Sequence, residues 1–102
     1  MAQPRTELQE ILEDFEGVNE AWFQKPLNTK LVEPYIVYEL DNEEVKRADN
    51  GIYAFWNRYT VTVVVRDPDS PIPGFVRALD HCRFSRKFIS AGLYHFVYDL
   101  YF

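Results

Sequence analysis

Glycine, cysteine and long apolar runs are scarce in this 102-residue chain, and each scarcity excludes a class of function. With 4 glycines and no GxxxxGKS/T, GxGxxG or GxSxG motif, the sequence has no backbone cradle for phosphate. The single cysteine, Cys82, forms no intrachain disulfide, and residues 1–5 lack the apolar core of a signal peptide, so we predict synthesis in a reducing cytosol. No apolar run approaches the ~20 residues that cross a bilayer, and we predict no membrane insertion.

Metal ligands and catalytic groups are equally few. A zinc site needs four His or Cys ligands, or three plus water, whereas this chain offers His81, Cys82 and His95 in two distant elements. His81 and Cys82 are neighbours in a predicted helix and point about 100° apart there, so we interpret them as a surface imidazole and a buried thiol rather than a dyad. We predict no catalytic residue, no cofactor and no metal. A small enzyme using an unidentified carboxylate pair stays a distant alternative, because any fold can bring two carboxylates together.

Carboxylates outnumber cations, with 16 Asp and Glu against 11 Lys and Arg and a net charge of −5. This balance argues against sequence-independent nucleic-acid binding, which needs clustered cations to displace counterions from phosphates. The nearest such cluster, Arg83, Arg86 and Lys87 beside Phe84, is interpreted as a solvated turn and strand start.

Four acidic residues occur close together at Asp41, Glu43, Glu44 and Asp49. The oxygen spacing and central glycine of a calcium-binding loop are absent from this stretch, so a flexible acidic loop is the better interpretation.

Aromatic residues are abundant, at 8 Phe, 7 Tyr and 2 Trp. Large rings stabilise a small core, and a surplus left at the surface favours interfaces. The length suits one domain spanning residues 1–102. Trp22 and Phe23 are interpreted as aromatics that cap the core from a loop.

Two short helices follow from the spacing of apolar residues. Residues 6–15 form the first, with Thr6 and Gln9 as a capping box, and residues 73–83 form the second. Gly17 is a plausible end for the first helix, and its acidic face is interpreted as solvated.

Strands occupy most of the remaining sequence. We predict an edge strand before Pro34, a strand over residues 35–40, a long turn over 41–51, and a long strand over 52–66. In the long strand Tyr59, Val61, Val63 and Val65 share a packed face with Tyr53 and Phe55, whereas Trp56, Arg58, Thr60, Thr62 and Arg66 share a largely wet face. Two closing strands over 86–90 and 94–102 flank a turn at Ala91 and Gly92. The predicted fold class is therefore α+β, in the order α-β-β-α-β-β, with an antiparallel sheet and both helices on one of its faces.

The ordered segments Pro34-Tyr35-Ile36-Val37-Tyr38, Ala48-Asp49-Asn50-Gly51-Ile52-Tyr53 and Tyr59-Thr60-Val61 carry a resemblance. Followed by a Pro/Asp-rich break, a helix and two strands, this pattern resembles the small tail-completion proteins of long-tailed bacteriophages over residues 34–102. The sequence departs from that pattern in its extended acidic stretch and in the Phe55-Trp56 pair.

The resemblance implies a tail terminator or head-to-tail joining subunit of a phage or prophage virion, synthesised in the cytoplasm of a bacterial host. Such subunits form a ring, typically six-fold, on the end of the tail tube, and DNA passes through the ring without specific binding. The implied partners are copies of the chain, tail-tube proteins and head-connector proteins.

For the subunit or partner interface, we single out seven residues on the wet face and in the acidic stretch: Trp56, Arg58, Thr60, Tyr101, Asp41, Glu43 and Glu44. For Trp56, completion of the monomer's own core is an equal alternative. The competing function is a small adaptor that binds a protein or peptide at a sheet edge.

Overall fold

Residues 4–24, 31–48 and 51–102 are described by the computed structural model, with residues 41–48 and 51–57 described through their backbone alone. Over these ranges the chain forms two helices and five strands, in the order α-β-β-β-α-β-β. Their bounds are α1 Arg5–Asp14, β1 Glu20–Phe23, β2 Tyr35–Ala48, β3 Gly51–Val65, α2 Ile72–Arg77, β4 Cys82–Ser90 and β5 Leu93–Tyr101.

The five strands form one sheet in the order β1-β2-β3-β5-β4. β1 pairs with β2 in parallel, and the other neighbours pair antiparallel. The predicted α+β class is confirmed. β1 is the edge strand expected before Pro34, because it lies at one end of the sheet order and pairs with β2 alone among the described strands. The expectation of an antiparallel sheet is wrong at this pair, since β1 and β2 are parallel and the sheet is mixed.

Both helices pack on the same face of the sheet, as the sequence predicted. Leu8 and Leu12 of α1 and Ile72 and Val76 of α2 are fully or almost fully buried. They join one hydrophobic cluster with residues of β2, β3 and β5, namely Ile36, Tyr38, Tyr59, Val61, Val63, Val65, Tyr98 and Leu100. Phe23 packs against this cluster, whereas its neighbour Trp22 is half-buried and outside it.

The packed face of β3 is confirmed over residues 59–65, where alternate residues enter the core. The expectation that the opposite face is largely wet is wrong at its centre, because Val64 of β3 is 2% exposed and Val97 of β5 is 4% exposed. Cross-strand neighbours explain this: Val64 lies between Tyr35 and His95 in the ladder, and large neighbouring side chains cover it.

The predicted capping box at the start of α1 does not form. Pro4 is the N-cap residue and no side chain caps the helix. Gln9 instead faces the sheet, where its Nε2 donates to the Ala21 carbonyl at 2.8 Å and its Oε1 accepts a hydrogen bond from the Tyr38 hydroxyl. The Gln9 side chain is therefore bonded to the sheet instead of to the first turn of its own helix.

The second helix is shorter than predicted and ends at Arg77 rather than at residue 83. His81 adopts a left-handed φ of 61°, and Cys82 starts β4 opposite Leu100 of β5. The placement of His81 and Cys82 on a helix is therefore wrong, because pairing with β5 competes successfully for these residues.

The stretch predicted as a long turn after residue 40 is also corrected. β2 continues to Ala48 and pairs with β3 as far as Gly51, with register shifts between Leu40 and Asn42 and between Lys46 and Arg47. Asp41, Glu43 and Glu44 are therefore strand residues, and Asp49 lies outside the described residues. The polar composition of residues 41–48 lacks the alternation of apolar and polar residues from which a strand is predicted.

Candidate interaction surface

Three of the predicted interface residues lie together on the sheet face that points away from the helices. Arg58 of β3 is the ladder partner of Tyr101 in β5, and Thr60 follows two residues later on the same face, paired with Asp99. All three predicted residues are half-buried. The sheet therefore brings Arg58, Thr60 and Tyr101 into one patch, as the alternation predicted.

The other four predicted residues lie on the β2–β3 hairpin, and their side chains are outside the described part of the chain. In the backbone register Trp56 pairs with Glu44, and Glu43 pairs with Asn57. Asp41 falls at the register shift after Leu40. Their role in an interface stays a prediction.

This hairpin continues beyond the rest of the sheet. The register with β5 begins at Arg58 of β3, and the register with β1 ends at Tyr38 of β2. Among the described residues, the outer part of the hairpin thus pairs only within itself, from the Asn42–Arg58 pair outwards. The molecule is elongated accordingly, at 50 × 25 × 23 Å.

A second surface is the edge strand β4, whose cations we interpreted from the sequence as a solvated turn and strand start and not as part of an interface. Every residue from Arg83 to Ser90 is exposed, including the apolar Phe84 at 46%, Phe88 at 40% and Ile89 at 63%. The sequence of β4 contains a signal for this position, because cations interleaved with aromatic residues are typical of edge strands that avoid aggregation. We name residues 83–90 the basic edge.

Side chains of the basic edge are held against the sheet by specific contacts. The Phe88 ring stacks on the His95 ring at a centroid distance of 4.6 Å, and the Arg86 guanidinium lies 5.6 Å from the Phe88 ring centroid. The Arg83 guanidinium reaches within 4.0 Å of the Asp99 carboxylate. These contacts order the side chains of the basic edge in the monomer. The conformational entropy that these side chains would lose on binding a partner is therefore smaller.

A groove of about 280 Å³ adjoins the basic edge between α2 and strands β4 and β5. Its lining residues are Pro73, Gly74, Arg77, Phe84, Phe96 and Tyr98. The volume lies below the ~300–1,000 Å³ of typical ligand pockets, so the groove suits a side chain of a partner better than a cofactor.

The opposite side of the molecule, which we name the acidic edge, consists of α1, β1 and residues 31–40. α1 lies at this side, because Gln9 is bonded to Ala21 of β1 and the Arg5 guanidinium lies 4.6 Å from the Phe23 ring centroid. The carboxylates Glu7, Glu10, Glu13, Asp14 and Glu39 are exposed here. Two apolar residues are exposed beside them, Val32 at 63% and Leu40 at 47%.

The thiol of Cys82 has the chemistry of a structural residue. Burial, and secondarily the Asp99 carboxylate, raises its pKa to about 11. Such a thiol is protonated at neutral pH and is not an activated nucleophile. Burial likewise raises the pKa of the neighbouring Tyr98. Within the described residues no group of three or more His, Cys, Asp or Glu side chains could hold a metal ion.

Neither helix of the described chain has the length and apolarity required to span a bilayer. Comparison of the chain with protein-family models and with curated proteins finds no match.

Proposed function

We propose that the chain is a structural subunit that assembles with copies of itself into a ring at the end of a phage or prophage tail, as a tail terminator or head-to-tail joining protein. It performs no catalysis in this role. The ring contacts tail-tube and head-connector proteins in the virion, after synthesis in the host cytoplasm. The proposal is supported by the resemblance of residues 34–102 and by the shape of the molecule.

The observation that carries the proposal is the outer part of the β2–β3 hairpin. An isolated two-stranded ribbon is marginally stable in water, because it lacks a third strand or a helix against which to bury one face. Residues 42–48 and 51–57 form such a ribbon within the described chain, because their backbones pair only with each other there. Contact with a neighbouring subunit gives the ribbon the packing partner that its own sheet does not provide.

The net charge of −5 fits a ring through which DNA passes. Fixed cations along a channel bind phosphates and release counterions, which retards the passage of DNA. An acidic subunit avoids this binding, so DNA is a passenger in the proposed ring and not a ligand.

The native mass of the purified protein over a concentration series, at low and moderate salt, tests the proposal. We expect a closed oligomer of six copies of the 12.1 kDa chain. A variant in which an Asn-Gly turn joins Asn42 directly to Arg58, which are partners in the register, keeps the sheet but lacks the ribbon. We expect this variant to be folded and monomeric.

The Trp56→Ala variant probes the ribbon with one side chain, and Thr62→Ala is its control on the same strand, because Thr62 lies between β2 and β5 and belongs to neither the ribbon nor an edge. Loss of the oligomer in Trp56→Ala alone places the ribbon at the subunit contact. A wild-type protein that stays monomeric at every concentration contradicts the ring.

A sheet-edge adaptor is the second candidate function, because β4 is an exposed strand at the end of the sheet order. Such an adaptor is a monomer that adds an extended peptide to β4. The same mass series separates the two functions.

A further inference from the structure

The large apolar residues that the sheet leaves exposed are divided between its two edges. Phe84, Phe88 and Ile89 lie on the basic edge, and Val32 and Leu40 lie on the acidic edge. The strand order places β1 and β4 at opposite ends of one sheet, so the two groups face away from each other in the monomer. Each edge therefore presents exposed apolar residues of the kind that protein contacts bury.

The charges that surround these apolar residues have opposite signs. Arg83, Arg86 and Lys87 are exposed on the basic edge, and Arg77 is exposed at the end of α2 beside it. On the acidic edge Glu39 is exposed in β2 and four carboxylates are exposed on α1. The charges of the basic edge and the acidic edge are thus complementary, whereas two basic edges, or two acidic edges, repel each other.

We infer that the basic edge of one copy docks on the acidic edge of the next copy. This inference rests on the proposed ring and adds the two edges to the subunit contact that the ribbon makes. Pairing of two basic edges brings like charges face to face, which disfavours a two-fold dimer. A contact between two different surfaces repeats from copy to copy and closes into a ring when the rotation between copies allows.

The free side of β4 adds to the specificity of this contact. Among the described strands β4 pairs with β5 alone, so the other side of its backbone is open to a partner.

If the cations of β4 served only to prevent aggregation, reversing their sign would leave self-assembly unchanged. In the docking arrangement the same reversal weakens self-assembly.

Two charge-reversed variants and their mixture test the inference. The first, Arg83→Glu with Arg86→Glu, leaves two carboxylates against Lys87 on the basic edge and makes that edge acidic. The second, Glu7→Lys with Glu10→Lys and Glu39→Lys, leaves three lysines against the exposed Glu13 and Asp14 on the acidic edge and makes that edge basic. We expect each variant alone to need an at least about tenfold higher concentration to assemble than the wild type. An equimolar mixture restores assembly, because the two variants alternate around the ring with opposite charges at every contact.

Asp69→Lys is the control, because Asp69 is exposed in the turn after β3 and belongs to neither edge. It should assemble like the wild type, and circular dichroism should show that every variant is folded. Raising the salt concentration should weaken wild-type assembly, since exposed charges are screened.

The outcomes separate this inference from the proposed function. A wild type that assembles, together with charge-reversed variants that also assemble, overturns the edge-to-edge contact and leaves the ring intact. Variants that fail alone and are not rescued by mixing overturn it as well, because the two edges are then not partners. A wild type that never assembles overturns both.

Discussion

Strands β3 and β4 belong to one sheet and both contain large apolar residues, yet their surroundings differ. Tyr59, Val61, Val63, Val64 and Val65 of β3 are each at most 3% exposed. In β4 the residues from Arg83 onwards are all exposed. β3 has paired strands on both sides and helices over one face, whereas β4 has a strand on one side. The position of a strand in the sheet, more than its composition, decides whether its apolar residues are buried.

Buried apolar residues of β3 stabilise the fold, whereas the large apolar residues of β4 from Phe84 onwards remain exposed. Large apolar side chains in β4 do not complete the core, since α2 is six residues long and covers only part of the sheet beside them. They remain at the surface together with three cations. β3 therefore contributes mainly to the stability of the core, whereas nearly all of β4 is exposed at the surface.

The largest expected effect is on stability at the centre of the sheet. Ile36 of β2, paired with Val63 of β3, is fully buried, and Ile89 of β4 is 63% exposed. We expect Ile36→Ala to lower the free energy of unfolding by ~2–5 kcal/mol, through lost burial and a cavity. The same change at Ile89 should cost less than about 0.5 kcal/mol. Urea unfolding of both variants measures the difference, and similar costs would contradict the division between centre and edge.

A second effect concerns the one residue of β4 that reaches the core, Cys82. Because its pKa is raised to about 11, its thiolate population at pH 8 is about a hundredfold smaller than that of an unfolded cysteine. We expect alkylation by iodoacetamide to be about a hundredfold slower in the folded protein than in guanidinium chloride. The chain has 1 Cys, so mass spectrometry follows the reaction without ambiguity.

The Cys82 thiol also makes the free energy of unfolding depend on pH, and the raised pKa fixes the direction of this dependence. The folded state keeps the Cys82 proton to a higher pH than the unfolded state does, so burial of the thiol stabilises the fold below the unfolded pKa and this contribution declines as pH rises towards 11. Cys82→Ser, with a hydroxyl that does not titrate in this range, should show a weaker decline between pH 9 and 11. An equal decline would mean that Cys82 is not buried in β4.

The smallest expected effect lies at the end of β3, where the Arg66 Nε donates to the Glu33 carboxylate at 2.9 Å. The hydrogen bond from Arg66 lowers the pKa of Glu33. The contribution of this pair is therefore present above the unfolded pKa of Glu33 and is lost as pH falls through the folded pKa.

Glu33→Gln should be slightly less stable than the wild type at pH 6.5, and the difference should vanish near pH 3. The exposed Arg66 side chain makes this a surface pair, so 1 M salt should reduce the difference too. Glu10→Gln is the matched control, and urea midpoints at both pH values provide the measurement. A difference that persists at pH 3 would assign the effect to packing instead.

Much of this fold could be predicted from the sequence, because periodicity carries the information where one face is buried. Alternation from Tyr59 to Val65 identified both β3 and the core face, and the left-handed φ values of Ala91 and Gly92 confirm the predicted turn. The spacing of Leu8 and Leu12 identified α1. In each case the local pattern and the tertiary packing favour the same structure.

The errors arose where distant partners decided the outcome. Gln9 has the spacing of a capping residue but is bonded to β1 and β2. Leu79 and Cys82 continue the helical spacing of α2, yet the ladder with β5 begins at Cys82. The exposure of β4 depends on the strand order, which the sequence does not state, so the basic edge was not among the predicted interface residues.

One irregularity in β4 decides which way its charges face. The register passes from the Phe84–Tyr98 pair to the Arg86–Val97 pair, so Ser85 occupies no position of its own in the ladder. As a result Arg83 and Arg86 share one face although three positions separate them. If Ser85 took a regular place, Arg86 would pair with Phe96 and turn to the helix side. The one extra residue thus sets the face of Arg86 and of every β4 residue after it. Deletion of Ser85 would make the ladder regular and keep these faces, whereas loss of the bulge with Ser85 present would exchange them.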